Sequence, residues 1–281
     1  MLNYVAPFIR ALARNCGKSA IARLATAVDY DAFDMRLAQT DNAVQLNSRP
    51  SSWLGEVVRS GICVIPNYWS LEQCAWARLE VDRIIDQYPK YLSPSAQSDK
   101  RVYGANRVSP AIETFNKDPE LTAIASAYNQ VATIAAFTLG ARMQFSVGNS
   151  GSGEGWHRDA FFRQFKAILY LSDAGLDNGP FQLIRDSHRR ASILHDMRVA
   201  GLSYMQNRLT DQNVAKLIDQ DFDRLITLNG SAGTLILVDT SAVHRGMPIK
   251  IGTRYALTNY YFPEDMINQS MYEKFNVVPA Q

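Results

Sequence analysis

His157 and Asp159 stand two residues apart in Gly155-Trp156-His157-Arg158-Asp159, and on extended backbone that spacing sends an imidazole and a carboxylate to the same face. Together they could grip one cation. Far downstream, His244 follows the apolar run Thr234 to Asp239, in Val243-His244-Arg245-Gly246, at the mouth of what would be a neighbouring strand. Two histidines and a carboxylate on adjacent strands form the facial ligand set of non-haem Fe(II), which leaves three coordination positions open for co-substrate and dioxygen. Zinc hydrolysis fits less well, because it favours a helical spacing such as H-E-x-x-H and none occurs. Ten positions beyond His244, Arg254 in Gly252-Thr253-Arg254-Tyr255 begins an alternating stretch. A dicarboxylate co-substrate would want a bidentate cation at some distance from the metal, and a guanidinium fork supplies that geometry better than an ammonium.

The other histidines carry less chemistry. His188 is expected to close a loop by hydrogen bonding outside the metal shell, and His195 to lie on the surface. The glycine-rich run Gly148 to Gly155 lacks the following Lys-Ser/Thr and the helix of a phosphate-binding loop, so it is read as a flexible lip over the metal site. Arg158, Arg163, Lys166, Arg185, Arg189, Arg190 and Arg245 cluster about the metal motifs although the whole chain carries a formal charge of only +2. That local charge suits an anionic small-molecule or lipid-linked substrate, a carboxylate, phosphate, phosphonate or CoA ester, with Arg158, Arg163 and Arg245 as candidate contacts.

These residues need strands to hold them. Ile62 to Pro66, Met143 to Val147, Arg163 to Leu171, Phe181 to Ile184, Gly233 to Val238 and Tyr255 to Phe262 are short apolar or alternating runs bounded by Gly, Asp, Asn and Pro. Helices are expected before them: one opened by a Ser70/Gln73 capping box and running to about Tyr88, and one from Pro119 to a stop at Gly140. A further helix is expected within Thr210 to Asp221. Helices first and many short strands later suggest a β-barrel or sandwich with helices outside it.

Residues 1 to 27 carry Arg10, Arg14, Lys18 and Arg23 without an acid, and Val5, Ile9, Leu12 and Cys16 fall on another helical face. This reads as a basic amphipathic helix that packs on the main domain or rests on an anionic membrane surface; residues 30 to 55 read as a linker or lead-in. The domain division is therefore 1–55, helix and lead-in, and 56–281, the catalytic domain. Balanced charge argues against nucleic acid. Cys16, Cys63 and Cys74 make neither a disulfide framework nor a zinc site, and no run is long enough to span a bilayer. A cytoplasmic location, at most peripheral on a membrane, is expected.

Over residues 56 to 263 the chain resembles the phytanoyl-CoA dioxygenase family of Fe(II)- and 2-oxoglutarate-dependent oxygenases. The resemblance rests on Gly155 to Asp159, on Leu171-Ser172-Asp173-Ala174 leading to Asn178-Gly179-Pro180-Phe181-Gln182-Leu183-Ile184, and on Ser187-His188-Arg189. It continues through Gly233-Thr234-Leu235 and His244-Arg245-Gly246 to Gly252-Thr253-Arg254-Tyr255. It implies iron held by His157, Asp159 and His244, and the distal carboxylate of 2-oxoglutarate held by Arg254. The implied fold is mainly β with flanking helices, a double-stranded β-helix, the jelly-roll barrel of cupins. It also implies hydroxylation with O2 as oxidant and release of succinate and CO2, since a carboxylate at Asp159 leaves no place for the halide of related halogenases. Lys166, Ile168 and Tyr170 share one strand face, which the resemblance turns into the barrel, so Lys166 is expected to touch co-substrate or substrate. The chain departs from the family at Arg158, often glutamine, at Ile168, often tryptophan, at Lys166, often small and polar, and at Ile184-Arg185-Asp186-Ser187-His188. Two alternatives remain: a jelly-roll module that binds a metabolite without catalysis, and a cupin-type metal dioxygenase that does not use 2-oxoglutarate.

Overall fold

The structure is a computed structural model that describes residues 2–16, 20–38, 46, 48–93 and 99–280. Three helices come first, α1 (Leu2–Cys16), α2 (Ala20–Ala38) and α3 (Ser48–Ser60), then β1 (Ile62–Ile65) and α4 (Leu71–Gln87). They are followed by β2 (Asp99–Tyr103), α5 (Pro110–Asn116), α6 (Pro119–Asn129), β3 (Thr133–Gln144), β4 (Phe165–Tyr170) and β5 (Phe181–Ile184). The rest comprises α7 (Arg190–Ala200), α8 (Asp211–Ile218), β6 (Leu225–Leu228), β7 (Leu235–Asp239), β8 (His244–Gly246), β9 (Thr253–Pro263) and α9 (Gln269–Lys274).

Strand β4 shows how the sequence builds the barrel. Phe165, Ala167 and Leu169 point outward into a core shared with α4, α5 and α6, whereas Ile168 and Tyr170 point inward, with Lys166 beside the cavity on the same face. β4 lies within a six-stranded antiparallel sheet of order β1-β7-β4-β9-β3-β2. A second sheet, β6-β5-β8, faces it, and Tyr170, Ile236 and Val238 of the first pack against Phe181 and Leu183 of the second. The two sheets make the jelly-roll barrel. Its outer face is sealed by Val81, Ile84, Ile112 and Leu121 of the helices against Leu237 and Leu257, all essentially inaccessible. Truncating one such leucine to alanine costs about 2–5 kcal/mol.

The Ser70/Gln73 capping box forms as the sequence dictates, and Thr210 caps α8 in the same reciprocal way. The helix expected from Pro119 to Gly140 ends instead at Asn129. Gln130 adopts a left-handed conformation there, and Thr133 onward becomes the long strand β3, in which Gly140 passes so close to Ala105 and Val81 that a side chain would crowd them. Within the stretch 30–55 read as a linker, the described residues are largely helical: α2 continues to Ala38 and α3 starts at Ser48.

At the N-terminus α1 and α2 pack on each other as separate helices, and α2 packs on α7. Ala6 and Ala13 form the buried stripe of α1, so its inner face lies beside Ile9, while Leu12 remains exposed. Lys18 and the side chains of Val5 and Cys16 lie outside the described residues. No helix among the described residues is long and apolar enough to cross a membrane.

Candidate metal centre

His157 and His244 face each other across an antiparallel bridge in which each backbone N–H donates to the other's carbonyl at 2.9 Å. The backbone N–H of Asp159 is held in turn by the carbonyl of Thr240, at 2.9 Å. This short ladder delivers the three side chains to one point. One ligand atom from each of His157, Asp159 and His244 lies within 4.8 Å of the others. Each imidazole is fixed by its own backbone: Nδ1 of His157 donates to the carbonyl of Gly155 and Nδ1 of His244 to that of Ala242, both at 2.9 Å. A carbonyl only accepts, so Nδ1 carries the proton and Nε2 keeps its lone pair for a metal. Both Nε2 atoms turn toward Asp159, at 3.4 and 3.9 Å. Two neutral imidazoles and one carboxylate, opening on a cavity, fit a divalent first-row cation with exchangeable positions.

The electrostatics agree. Burial, reinforced by the neighbouring His157, lowers the pKa of His244 to about 3, which keeps the ring neutral. Burial alone would raise the pKa of Asp159, but the Lys166 ammonium beside it holds the carboxyl well below the usual range. Lys166 Nζ sits 2.6 Å from Asp159 Oδ2 and 3.8 Å from the centre of the Tyr260 ring. It therefore faces the triad from the barrel wall, as the alternation along β4 requires.

The triad opens on a cavity of 860 Å³ that runs through the barrel. Arg254 lines it, projecting from β9, and its side chain is buried. Nη2 approaches Met143 Sδ at 2.9 Å, while Nε and Nη1 have no hydrogen-bond partner. A buried guanidinium with unsatisfied donors is costly, and a carboxylate in the cavity would satisfy it. Gly246 and Gly179 admit this side chain, since a methyl group on Gly246 would meet Nη2 at 2.9 Å. The glycine-rich run does lie against the centre. Gly153, with φ +84°, passes the His157 ring so closely that a Cβ would stand 2.3 Å from Cε1.

Arg101 of β2 also lines the cavity, paired with Asp99 and donating to Ser152 Oγ at 2.6 Å. The sequence reading overlooked it. Its signal was the alternation Asp99, Arg101, Tyr103, which places all three on one strand face.

The basic residues flanking the ligands are placed otherwise than expected. Arg158 is correctly a neighbour of the triad but not a lining residue: the alternation that turns His157 and Asp159 into the cavity turns Arg158 away from it. There Arg158 is 1% exposed and donates to Asp196 at 2.5 Å and to the carbonyls of Ser187 and Ser241. Arg245, next to His244, likewise points outward, lying 4.3 Å above the Trp156 ring and pairing with Asp211 at 3.1 Å. Arg163 does line the cavity, but its guanidinium is engaged by Asp34 of α2 at 3.0 Å and by the Tyr128 carbonyl at 2.9 Å. Arg190 pairs with Asp31, also of α2, at 2.6 Å. His188 closes a loop onto the Val58 carbonyl, and His195 is exposed.

A sequence model of the phytanoyl-CoA dioxygenase (PhyH) family matches residues 57–250, more than half of the chain. The chain belongs to that family. The family is one of Fe(II)- and 2-oxoglutarate-dependent oxygenases, and the protein is a non-haem dioxygenase of this class acting on a small molecule. Among curated proteins it is similar to an ectoine dioxygenase of Stutzerimonas stutzeri (strain A1501), 27% identical in an alignment of length 213 that covers 66% of this chain and 67% of that enzyme. Among solved structures it is similar to iron-bound EctD from S. alaskensis, with a TM-score of 0.59, 16% identity and 80% and 82% of the two chains covered. It is also similar to HygX from Streptomyces hygroscopicus with nickel and 2-oxoglutarate bound, with a TM-score of 0.54, 18% identity and 78% and 88% covered. At these identities the structures speak for the phytanoyl-CoA dioxygenase family's jelly-roll fold.

Proposed function

We propose that His157, Asp159 and His244 hold Fe(II), that Arg254 clamps the distal carboxylate of 2-oxoglutarate, and that a small molecule in the rest of the cavity is hydroxylated. The observation that carries this is the buried Arg254, with two donor nitrogens unpartnered, in the same cavity as three converging ligand atoms. When bound, iron, 2-oxoglutarate and O2 together supply an oxidant able to oxygenate a C–H bond, leaving succinate and CO2.

The chain's own residues prepare that chemistry. The carbonyls of Gly155 and Ala242 orient the imidazoles, and Phe181 stacks on His244 at 5.4 Å, shielding it from bulk water. Asp159 stays ionised and occupies the third ligand position, which supports hydroxylation over halogenation. Lys166 stands at the boundary between the metal ligands and the cavity, where it would contact co-substrate or substrate and balance the charge of Asp159.

The anionic class of substrate is supported less broadly than the sequence suggests. Arg158 and Arg245 face away, and Arg163 is partly neutralised by Asp34. Its remaining support is Lys166, Arg101 and the exposed Lys274 at the cavity wall. A peripheral membrane contact through α1 is supported less well than its docking on α2, because Arg10 already pairs with Asp29 at 2.6 Å.

The test is succinate formation from 2-oxoglutarate with added Fe(II) in air. The expected result is a slow basal release that His244→Ala and Arg254→Leu both abolish. Iron retention without any succinate release, even over a broad substrate panel, would favour a cupin-type dioxygenase or a binding module and overturn the assignment of Arg254.

A further inference from the structure

The cavity is far larger than a five-carbon dicarboxylate, and part of its remaining wall comes from outside the family-matched span 57–250. On one side α2 supplies Phe33, whose ring stacks on Phe162 with centroids 4.2 Å apart and planes 20° from parallel. Tyr260 and Phe262 of β9, then Met271 and Phe275 at the C-terminal end, line the cavity as well. Phe275 is locked against Phe137 and Tyr103, with centroids 5.0 and 5.3 Å apart. The α2 wall is bolted in place: Asp31 binds Arg190 through two hydrogen bonds of 2.6 and 2.7 Å, and Asp34 binds Arg163, so Phe33 lies between two anchored neighbours. The Asp34 pair also neutralises Arg163, a cation of this wall. A polar atom without a hydrogen-bond partner also lies on this wall. Asn129 is 3% exposed, lines the cavity, and has no partner for Oδ1.

We propose that this chamber, walled by Phe33, Phe162, Tyr260, Phe262, Met271 and Phe275, is the substrate site and selects a flat, largely apolar ring compound bearing a hydrogen-bond donor for Asn129. Stacked and edge-on aromatic walls favour planar rings, and methionine adapts to their outline. The inference rests on the metal and co-substrate assignment above. It adds that the N-terminal helix pair is a specificity element.

The test uses the full-length protein loaded with Mn(II) and N-oxalylglycine, an unreactive isostere of 2-oxoglutarate. The probe is the neutral ring compound N-phenyl-1-naphthylamine, with anilinonaphthalene sulfonate as its anionic counterpart. Fluorescence titration gives affinity, and broadening of the probe's proton resonances by Mn(II), against a Zn(II)-loaded reference, gives proximity to the triad. The neutral probe should bind, be broadened, and lose about tenfold in affinity with Phe33→Ala or Met271→Ala. Phe33→Leu, which keeps an apolar side chain without a ring, should lose about threefold. Trp76→Ala, at an exposed aromatic on α4 outside the cavity, should change nothing. Absence of broadening with Mn(II) retained, indifference to all three chamber variants, or a tenfold preference for the sulfonate would overturn the chamber. Failure to retain Mn(II) would instead overturn the metal assignment on which it rests, and the metal content tells the two apart.

Discussion

Arg158 and Arg254 are both buried arginines in β-rich surroundings near the metal centre, yet they do opposite things. Arg158 reaches two backbone carbonyls and the carboxylate of Asp196, so its charge is matched and its donors are occupied within the fold. Arg254 has a thioether against Nη2 and nothing on Nε or Nη1. The contrast separates a guanidinium that holds loops together from one that waits for a ligand. Burial alone, or closeness in sequence to the metal ligands, does not make that distinction; the state of the donors does.

The largest effect should come from breaking the satisfied member. Arg158→Leu should cost about 3–5 kcal/mol in chemical denaturation, because it strands the Asp196 carboxylate in the core. The double variant Arg158→Leu/Asp196→Leu should recover most of that loss, and failure to recover would mean that the carbonyl contacts, not the ion pair, carry the energy. Arg254→Leu should leave stability within about 1 kcal/mol, or raise it, while weakening 2-oxoglutarate by about 3 kcal/mol, roughly a hundredfold, in a direct binding titration. A large loss of stability there would erase the contrast. Lys166→Ala sits between the two: iron content should be unchanged, whereas 2-oxoglutarate or substrate affinity should fall about three- to tenfold. Unchanged kinetics would remove Lys166 from the site. Smallest of all, Arg245→Ala, which breaks a pair with the exposed Asp211 and a stacking contact with Trp156, should shift the unfolding midpoint by no more than about 1 kcal/mol and leave succinate release alone.

Period-two reasoning carried most of what was legible. It placed His157 with Asp159 and put Lys166, Ile168 and Tyr170 on one strand face, which the family resemblance turned into the barrel. Applied one residue further it would also have turned Arg158 and Arg245 outward, since each is the immediate neighbour of a ligand. The partners of Arg163 and Arg190 were harder to foresee. Asp31 and Asp34 lie some 130 to 160 residues away in a segment read as a linker, and only the docking of α2 brings them into range. The boundary at Asn129 was missed for a local reason. A glycine within a strand and a glycine ending a helix look alike in sequence, and the close approach of Ala105 and Val81 to Gly140 is a tertiary fact.

The imidazoles of His157 and His244, the proposed metal ligands, are each steadied by a peptide oxygen two residues earlier in the chain, with no side chain as intermediary. The path of the main chain therefore writes the lone-pair direction at the metal, and side chains elsewhere are released from that duty. The helices and tails around the barrel can therefore be altered without turning either ring.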